Sequence, residues 1–149
     1  MELQFSFKAF AELNPHELYA YLQLRSEVFV VEQNCVYQDL DDKDQASLHV
    51  FVHHQDQLVA CARIVPAALA YPEISIGRVI VAEPYRKQQL GHELMRYCIE
   101  QIHSRFGPQK IVLSAQAHLQ NFYKKHNFVP TGAIYLEDGI PHIHMIKQQ

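Results

Sequence analysis

Residues Ile74–Met95 read ISIGRVIVAEPYRKQQLGHELM, and the fold turns on how this stretch is parsed. Ser75 to Val81 is apolar almost throughout, interrupted only by Gly77 and Arg78, which predicts a strand buried on both faces. Glu83 to Gln89 then bring a proline, two cations and two amides, which reads as a turn. Beyond it Leu90, Leu94, Cys98, Ile102 and Phe106 recur at helical spacing, with Met95 and Ile99 beside them, and Gly107-Pro108 stops the pattern. A helix start leaves unpaired N–H groups and about half a positive charge, a setting that suits a phosphate. No carboxylate lies between Pro84 and Glu93, while Arg86 and Lys87 add positive charge. Gly91 is the single glycine of the turn. Taken alone the motif is weak, since most strand–turn–helix units bind nothing.

Outward from this stretch the remaining elements fall into line. Leu3, Phe5 and Phe7 alternate with polar neighbours, which predicts a half-buried first strand. Asn14, Pro15 and Glu17 supply a helix cap, a first-turn proline and a capping-box partner, and Leu18, Leu22, Arg25 and Phe29 carry the helix to about Val30. From Glu32 to Asp44 five carboxylates (Glu32, Asp39, Asp41, Asp42, Asp44) face one Lys43, which reads as an exposed acidic connection. LHVFVHH and LVACARIV, separated by Gln55-Asp56-Gln57, predict a hairpin. Downstream come a buried strand (KIVLSA), a short helix (LQNFYKKH) and two closing strands (FVPTGAIYL, HIHMIK) around EDGIP. The order is β, α, a β meander, then β-α-β-α-β-β. It predicts an α/β (α+β) fold with a mixed central sheet, parallel where helices cross over and antiparallel elsewhere. No repeat or linker divides the chain, so residues 1–149 are expected to form a single domain.

The composition narrows the function classes. A hydrophobic share of 48% supplies a core, and a net charge of -3 without a long basic run argues against nucleic acid and anionic membrane as partners. No run approaches the roughly 20 apolar residues of a membrane span, and MELQFSFKAF lacks the pattern of a signal peptide. Cys35, Cys61 and Cys98 are odd in number and form no C-x-x-C pair, which fits a reducing, cytoplasmic setting.

IGRVIVAEPYRKQQLGHELM, followed some thirty residues on by SAQAHLQNFYKKHNF, resembles the GNAT superfamily of N-acetyltransferases. LYAYLQLRSEVFVVEQNCVYQDLDD, IGRVIV, AQAHLQNFY and EDGIPHIHM are most similar to its ElaA-like branch. The resemblance runs from about Glu17 to the C-terminus, with the blocks in the family's order. Two positions depart from the pattern. Gln89 stands where the first glycine of the family's Q/R-x-x-G-x-G/A loop is usual, and Asn127 stands where a glycine precedes Phe128. The resemblance implies that two parallel strands splay apart around acetyl-coenzyme A (acetyl-CoA). The exposed backbone of Val79, Ile80 and Val81 would pair with the pantetheine arm. The pyrophosphate would rest on the amides of Arg86, Lys87, Gln88, Gln89, Leu90, Gly91 and His92. Gln116 occupies the position of a cofactor-contacting Asn in many relatives, and Asn121 projects from the following helix. Tyr123 matches the family tyrosine near the cofactor's sulfur.

Acetyl transfer to an amine needs a neutral amine, polarisation of the carbonyl and a proton for the departing thiolate. A backbone N–H of Ile80 or Val81 is expected to polarise the carbonyl, and Tyr123 to act as general acid. For the base the sequence offers Glu32, at the head of the acidic connection, and His142, which shares a strand face with His144. Plain surface or packing roles compete with both, and Arg78 can equally pair with a structural carboxylate. A metal site from His49, His53, His142 and His144 lacks the spacing of strong metal motifs. In DLDDKD, Lys43 stands where a calcium loop needs oxygen, so no metal is expected. Cys98 lies on the apolar helix row and is expected in the core, and Cys35 is the other thiol considered as a nucleophile. The chain is expected to acetylate a primary amine of a small molecule or peptide by direct transfer in a ternary complex; the alternative is a non-catalytic acyl-CoA sensor. The acidic connection favours a cationic acceptor, and an exposed closing strand is open to homodimer pairing.

Overall fold

Alternation of side chains along the strands sorts the core into two layers. In the structure, a computed structural model that describes residues 2–149, strands β1 (Leu3–Ala9), β2 (Leu48–His54), β3 (Gln57–Val65), β4 (Ile74–Val81), β5 (Ile111–Gln116), β6 (Val129–Glu137) and β7 (Ile140–Lys147) form one sheet in the order β1-β2-β3-β4-β5-β7-β6. The β4–β5 pair is parallel and every other pairing is antiparallel. This is the expected mixed sheet. Val50, Val52, Ala60, Ala62 and Ile64 point to one face, where α2 (Leu90–Phe106) and α3 (Gln120–Lys124) cover them. Phe51, Cys61 and Ile80, one residue out of step, point to the other face and meet Tyr21, Leu24 and Val28.

Local signals hold where short-range chemistry dictates them. Asn14 accepts from Glu17 N–H at 2.8 Å while Glu17 accepts from Asn14 N–H at 3.0 Å, the expected capping box of α1 (Pro15–Arg25). After Arg25 the winding widens into a π-helical segment, Ser26–Glu32, so the predicted helix ends in a different period and two residues late. This turn keeps Val28 against the second core layer and places Phe29 at a cleft described below. The hairpin turn shortens to Gln55-Asp56, with Gln55 at φ 57°. In α2 the predicted row is buried through Ile102 but fails at Phe106, 49% exposed, because the helix ends there at Gly107, φ 82°. One edge of the sheet is β6, paired only with β7, with Ile134 and Leu136 exposed, and the other is β1. Among the described residues no helix is long and apolar enough to cross a membrane.

Two sequence expectations are corrected. β4 is buried without interruption only from Ile74 to Ile76; beyond it Ile80 alone is buried, and Gly77, Arg78, Val79 and Val81 are half-buried, because the neighbouring strand leaves. The acidic connection is not free surface either. Asp39 and Asp44 are buried, each bonded to Arg25 from the helix and to one arginine from the sheet, and Asp41 is half-buried and bonded to two arginines from the sheet.

Candidate functional site

The opening in the molecule is made by the backbone. β4 and β5 pair only at Ile74↔Ile111 and Ser75↔Val112, and beyond these they separate. On its other edge β4 bulges: partners run from Cys61↔Ile80 to Arg63↔Gly77, so Arg78 and Val79 together oppose Ala62. Arg78 takes φ 49°, a left-handed value that the bulge imposes. Ala82 N–H donates to Val59 O at 2.8 Å, toward β3. By strand alternation the amides of Val79 and Val81 then point into the gap, whereas those of Ile80 bond toward β3. The expectation that Ile80 offers a free N–H is corrected on this ground. Val81 O, facing the gap, accepts from Arg86 Nε at 2.8 Å.

At the wide end of the gap stands the helix start that the sequence singled out. Lys87 and Gln89 both take left-handed φ, 68° and 61°, at the turn into α2. Gln89 thus adopts the conformation that a glycine would take without strain. His92 and Glu93 N–H are the first to bond into the helix, both to Gln89 O at 3.1 Å. The amides of Leu90 and Gly91 precede them at the positive end. The Leu90 side chain is buried, so its contribution to any ligand is its N–H. Gly91 has a reason the sequence reading missed: a Cβ there would lie 3.1 Å from Phe122 Cε1, so the glycine lets α3 pack against the start of α2. His92 stacks on Phe122 with centroids 4.6 Å apart and shares a 2.8 Å hydrogen bond with His126.

Further along the gap lies a narrow cleft of about 110 Å³ lined by Val79, Gln116, Tyr123, His142, Cys35 and Phe29, among others. It shares Tyr37, Arg78, Ser114 and Glu137 with a wider groove of about 600 Å³. Tyr123 is 8% exposed and packs on Phe122 and Phe128. Burial, with a smaller push from Cys98, raises its phenol to about 12. His142, 7% exposed, has Nδ1 2.7 Å from Ile140 O. His144, one step along the same face, instead meets Thr131 Oγ1 at 2.7 Å. Cys35 Sγ donates to Asp138 O at 3.1 Å, joining the 33–44 connection to the β6–β7 turn across the cleft. Cys98 is wholly buried in the core, as expected.

The charges of the acidic run are closed on three arginines. Arg25, 0% exposed, donates to Asp39 at 2.8 Å and Asp44 at 2.7 Å. Arg63 grips Asp41 with two bonds, 2.7 and 2.8 Å, and reaches Asp44 at 3.0 Å. Arg78 donates to Asp39 at 2.7 Å. For Asp41 and Asp44 burial alone would raise the carboxyl, but the Arg63 and Arg25 bonds win and hold both below the usual carboxylate range. Three guanidiniums thus balance three carboxylates.

The structure brings together Val79, Gln116, Tyr123 and His142, and sets Arg86 to His92 at the far end of the same gap. It does not bring Glu32 to the cleft. Glu32 is exposed and bonds Arg86 Nη2 at 2.9 Å, on the side of the 3-10 turn Glu83–Tyr85. Asn121 is exposed on α3 and does not line the cleft. His49 is engaged elsewhere, between Tyr21 Oη at 2.7 Å and Asp44 O at 2.9 Å. Among the described residues no three His, Cys, Asp or Glu side chains group as metal ligands. Ser114 and Glu137, which line both the cleft and the groove, and Tyr135, which shares a hydrogen bond with Ser114, escaped the sequence reading. Their only signal is the pairing Tyr135↔His142 and Ser114↔His144 across strands, which no local motif encodes.

A model of the family described as acetyltransferase (GNAT) domain matches residues 12–149. The chain is 45% identical to protein ElaA of Escherichia coli over 140 residues, covering 93% of this chain and 92% of that one. The crystal structure of Escherichia coli ElaA superposes with a TM-score of 0.93 at 42% identity, covering 99% and 100% of the two chains. An acyl-CoA N-acyltransferase from Pseudomonas aeruginosa superposes with a TM-score of 0.93 at 40% identity, covering 98% and 99%. With the strand splay, the bulge and the open helix start already in place, these matches establish that the chain belongs to the GNAT acyltransferase family, in its ElaA-like branch.

Proposed function

We propose that the chain is an N-acetyltransferase that carries the acetyl group of acetyl-CoA to a primary amine by direct transfer in a ternary complex. The observation that carries this reading is the gap beside β4, which has outward amides at Val79 and Val81, an open helix start at one end and Tyr123 with His142 at the other. An extended amide-bearing arm can add to the free edge of β4 as an extra strand. Its diphosphate then meets the N–H groups at Gln89, Leu90 and Gly91, with the Lys87 side chain nearby. The related Pseudomonas aeruginosa structure is described as an acyl-CoA N-acyltransferase, and a GNAT-fold aminoglycoside 6'-N-acetyltransferase at 18% identity is described in complex with coenzyme A, which fits such a donor.

In this reading the neutral amine attacks the thioester carbonyl, a C–N bond forms and the C–S bond breaks. Val79 or Val81 N–H polarises the carbonyl. Tyr123, kept protonated by its burial, gives its proton to the departing thiolate and regains one from solvent. Of the two candidate bases the surroundings favour His142, because Glu32 is engaged by Arg86 away from the cleft. The closing of the aspartates on arginines removes the earlier reason to expect a cationic acceptor. Self-pairing through the exposed β6 edge belongs to the same proposal, and light scattering reads it directly as monomer or dimer mass.

The test is thiol release from acetyl-CoA over a panel of primary amines, with wild type and Tyr123→Phe side by side. Amine-dependent release that falls about 10²–10⁴-fold in the Phe variant, with acetyl-CoA affinity unchanged, supports the assignment. Tight acetyl-CoA binding without release for any amine points instead to an acyl-CoA sensor.

A further inference from the structure

His142 does not stand alone in the cleft. Its Nδ1 lies 2.7 Å from the carbonyl oxygen of Ile140. A carbonyl only accepts, so Nδ1 carries the hydrogen and the neutral ring keeps its lone pair on Nε2. Nε2 in turn lies 3.4 Å from Glu137 Oε2, across the β6–β7 hairpin. Glu137 is itself held, because its Oε1 accepts from Ser114 Oγ at 3.3 Å, and Ser114 shares a further hydrogen bond with the Tyr135 hydroxyl. The Tyr135 ring lies against His142 at 26° between planes, with centroids 6.3 Å apart. The neutral imidazole is thus held through Nδ1 by a carbonyl and flanked by an aromatic ring, while Glu137 stands 3.4 Å from Nε2 and becomes its ion-pair partner once the ring takes a proton.

The other titratable or charged groups lining this cleft are Cys35 and Tyr37 from the connection, Arg78 from β4, Tyr123 from α3 and Asp138 from the turn. Arg78 is committed to Asp39 and Asp41. Glu137 is therefore the carboxylate in direct reach of the ring and free of any arginine. We propose that Glu137 is the positioning partner of His142, and that the pair is the proton acceptor of the acyl transfer. The inference rests on the acetyl-transfer reading above and adds the atom that receives the proton. As the amine nitrogen bonds to the carbonyl carbon, its proton passes to His142 Nε2, giving an imidazolium that Glu137 balances, while Tyr123 supplies the proton that leaves with the thiol. Both side chains return to their starting states by exchange with solvent. The Glu137 carboxylate, 3.4 Å from Nε2, stands where it can pair with the imidazolium as it forms.

The experiment compares wild type with Glu137→Gln, a change that keeps size and hydrogen bonding but removes charge. Ring nitrogen NMR of the acyl-CoA-free protein, with the His142 signals assigned by their loss in His142→Gln, reads which ring nitrogen carries the hydrogen. Nδ1–H is expected in both proteins, with the Nε2 signal displaced in Glu137→Gln, where the carboxylate is gone. kcat is expected to fall about tenfold or more in Glu137→Gln and further in His142→Gln, with acetyl-CoA affinity unchanged in both, and Glu137→Asp to recover part of the loss. An Nε2 signal that ignores Glu137→Gln, or an active enzyme whose kcat ignores both substitutions, overturns the proposal. A wild-type protein that releases no thiol with any amine fails the acetyl-transfer reading instead, an outcome separate from an active enzyme whose kcat is unmoved.

Discussion

The two sides of the β4 gap treat charge in opposite ways. On the side of α1, Arg25, Arg63 and Arg78 are closed on Asp39, Asp41 and Asp44 in a largely buried, neutral cluster. At the start of α2, Lys87, Gln88 and Gln89 turn their side chains outward and the amides of Leu90 and Gly91 stay open, with left-handed φ values at Lys87 and Gln89 shaping the turn. The cluster clamps the 33–44 connection to the sheet and fixes the bulged Arg78 at the cleft. The turn keeps its donors for a ligand. Charge written in a sequence is therefore not charge available for binding. Asp39, Asp41 and Asp44 are balanced by three arginines and Glu32 by Arg86, whereas the turn keeps Lys87 and the open amides of the helix start for a ligand.

Breaking the buried side should have the largest effect. Arg25→Met leaves Asp39 and Asp44 without their wholly buried partner and is expected to cost about 3–5 kcal/mol in denaturant unfolding. Lys87→Ala, on the open side, is expected to cost less than about 0.5 kcal/mol in the same measurement. Near-equal losses would erase the contrast. Gly91→Ala forces a Cβ against Phe122 at 3.1 Å and is expected to destabilise by about 1–3 kcal/mol. Pairing it with Phe122→Leu should recover part of the loss in thermal unfolding if that contact is the cause.

The turn itself is probed at Gln89. Proline cannot reach φ 61°, so Gln89→Pro is expected to weaken coenzyme A at least about tenfold by calorimetry. Gln89→Gly relieves the left-handed strain and is expected to leave affinity unchanged while adding up to about 1 kcal/mol of stability. A smaller effect follows from His49. Nε2 donates to Asp44 O and Nδ1 accepts from Tyr21, so the neutral ring fits, and burial lowers its proton affinity. For a group whose folded value is depressed, the unfolded chain binds the extra proton first. Stability is then fully present above the unfolded value near 6.5 and is lost as pH falls below it. Thermal scans should show the melting point dropping between about pH 7 and 5, before most carboxylates titrate. The smallest effect concerns Glu32, which engages Arg86 on the surface. Glu32→Gln is expected to tighten coenzyme A by no more than a few-fold and to leave kcat intact.

The residues that were legible in the sequence are those whose reasons are local. The Asn14–Glu17 box, the Leu90–Ile102 row and the Gly107 stop depend on neighbours within one or two turns. The strand–turn–helix around Glu83 to Met95 is legible for the same reason. What stayed hidden depends on partners far along the chain. Asp39 meets Arg78 from 39 residues away, and Cys35 meets Asp138 from 103 away, so neither composition nor spacing distinguishes a paired aspartate from a solvated one. The outward direction of Val79 and Val81, as opposed to Ile80, needs the register with β3. Glu137 is reached from His142 only through the hairpin register.

The account's central claim is that acetyl-CoA lies along the open edge of β4 and against the start of α2. Backbone amide NMR with saturating coenzyme A tests it most directly. The amides of Val79, Val81, Leu90 and Gly91 should shift and exchange more slowly, while Ile80, already bonded toward β3, gains little protection. Full occupancy by coenzyme A with those four amides unperturbed, or with protection gained at Ile80 instead, would contradict the placement.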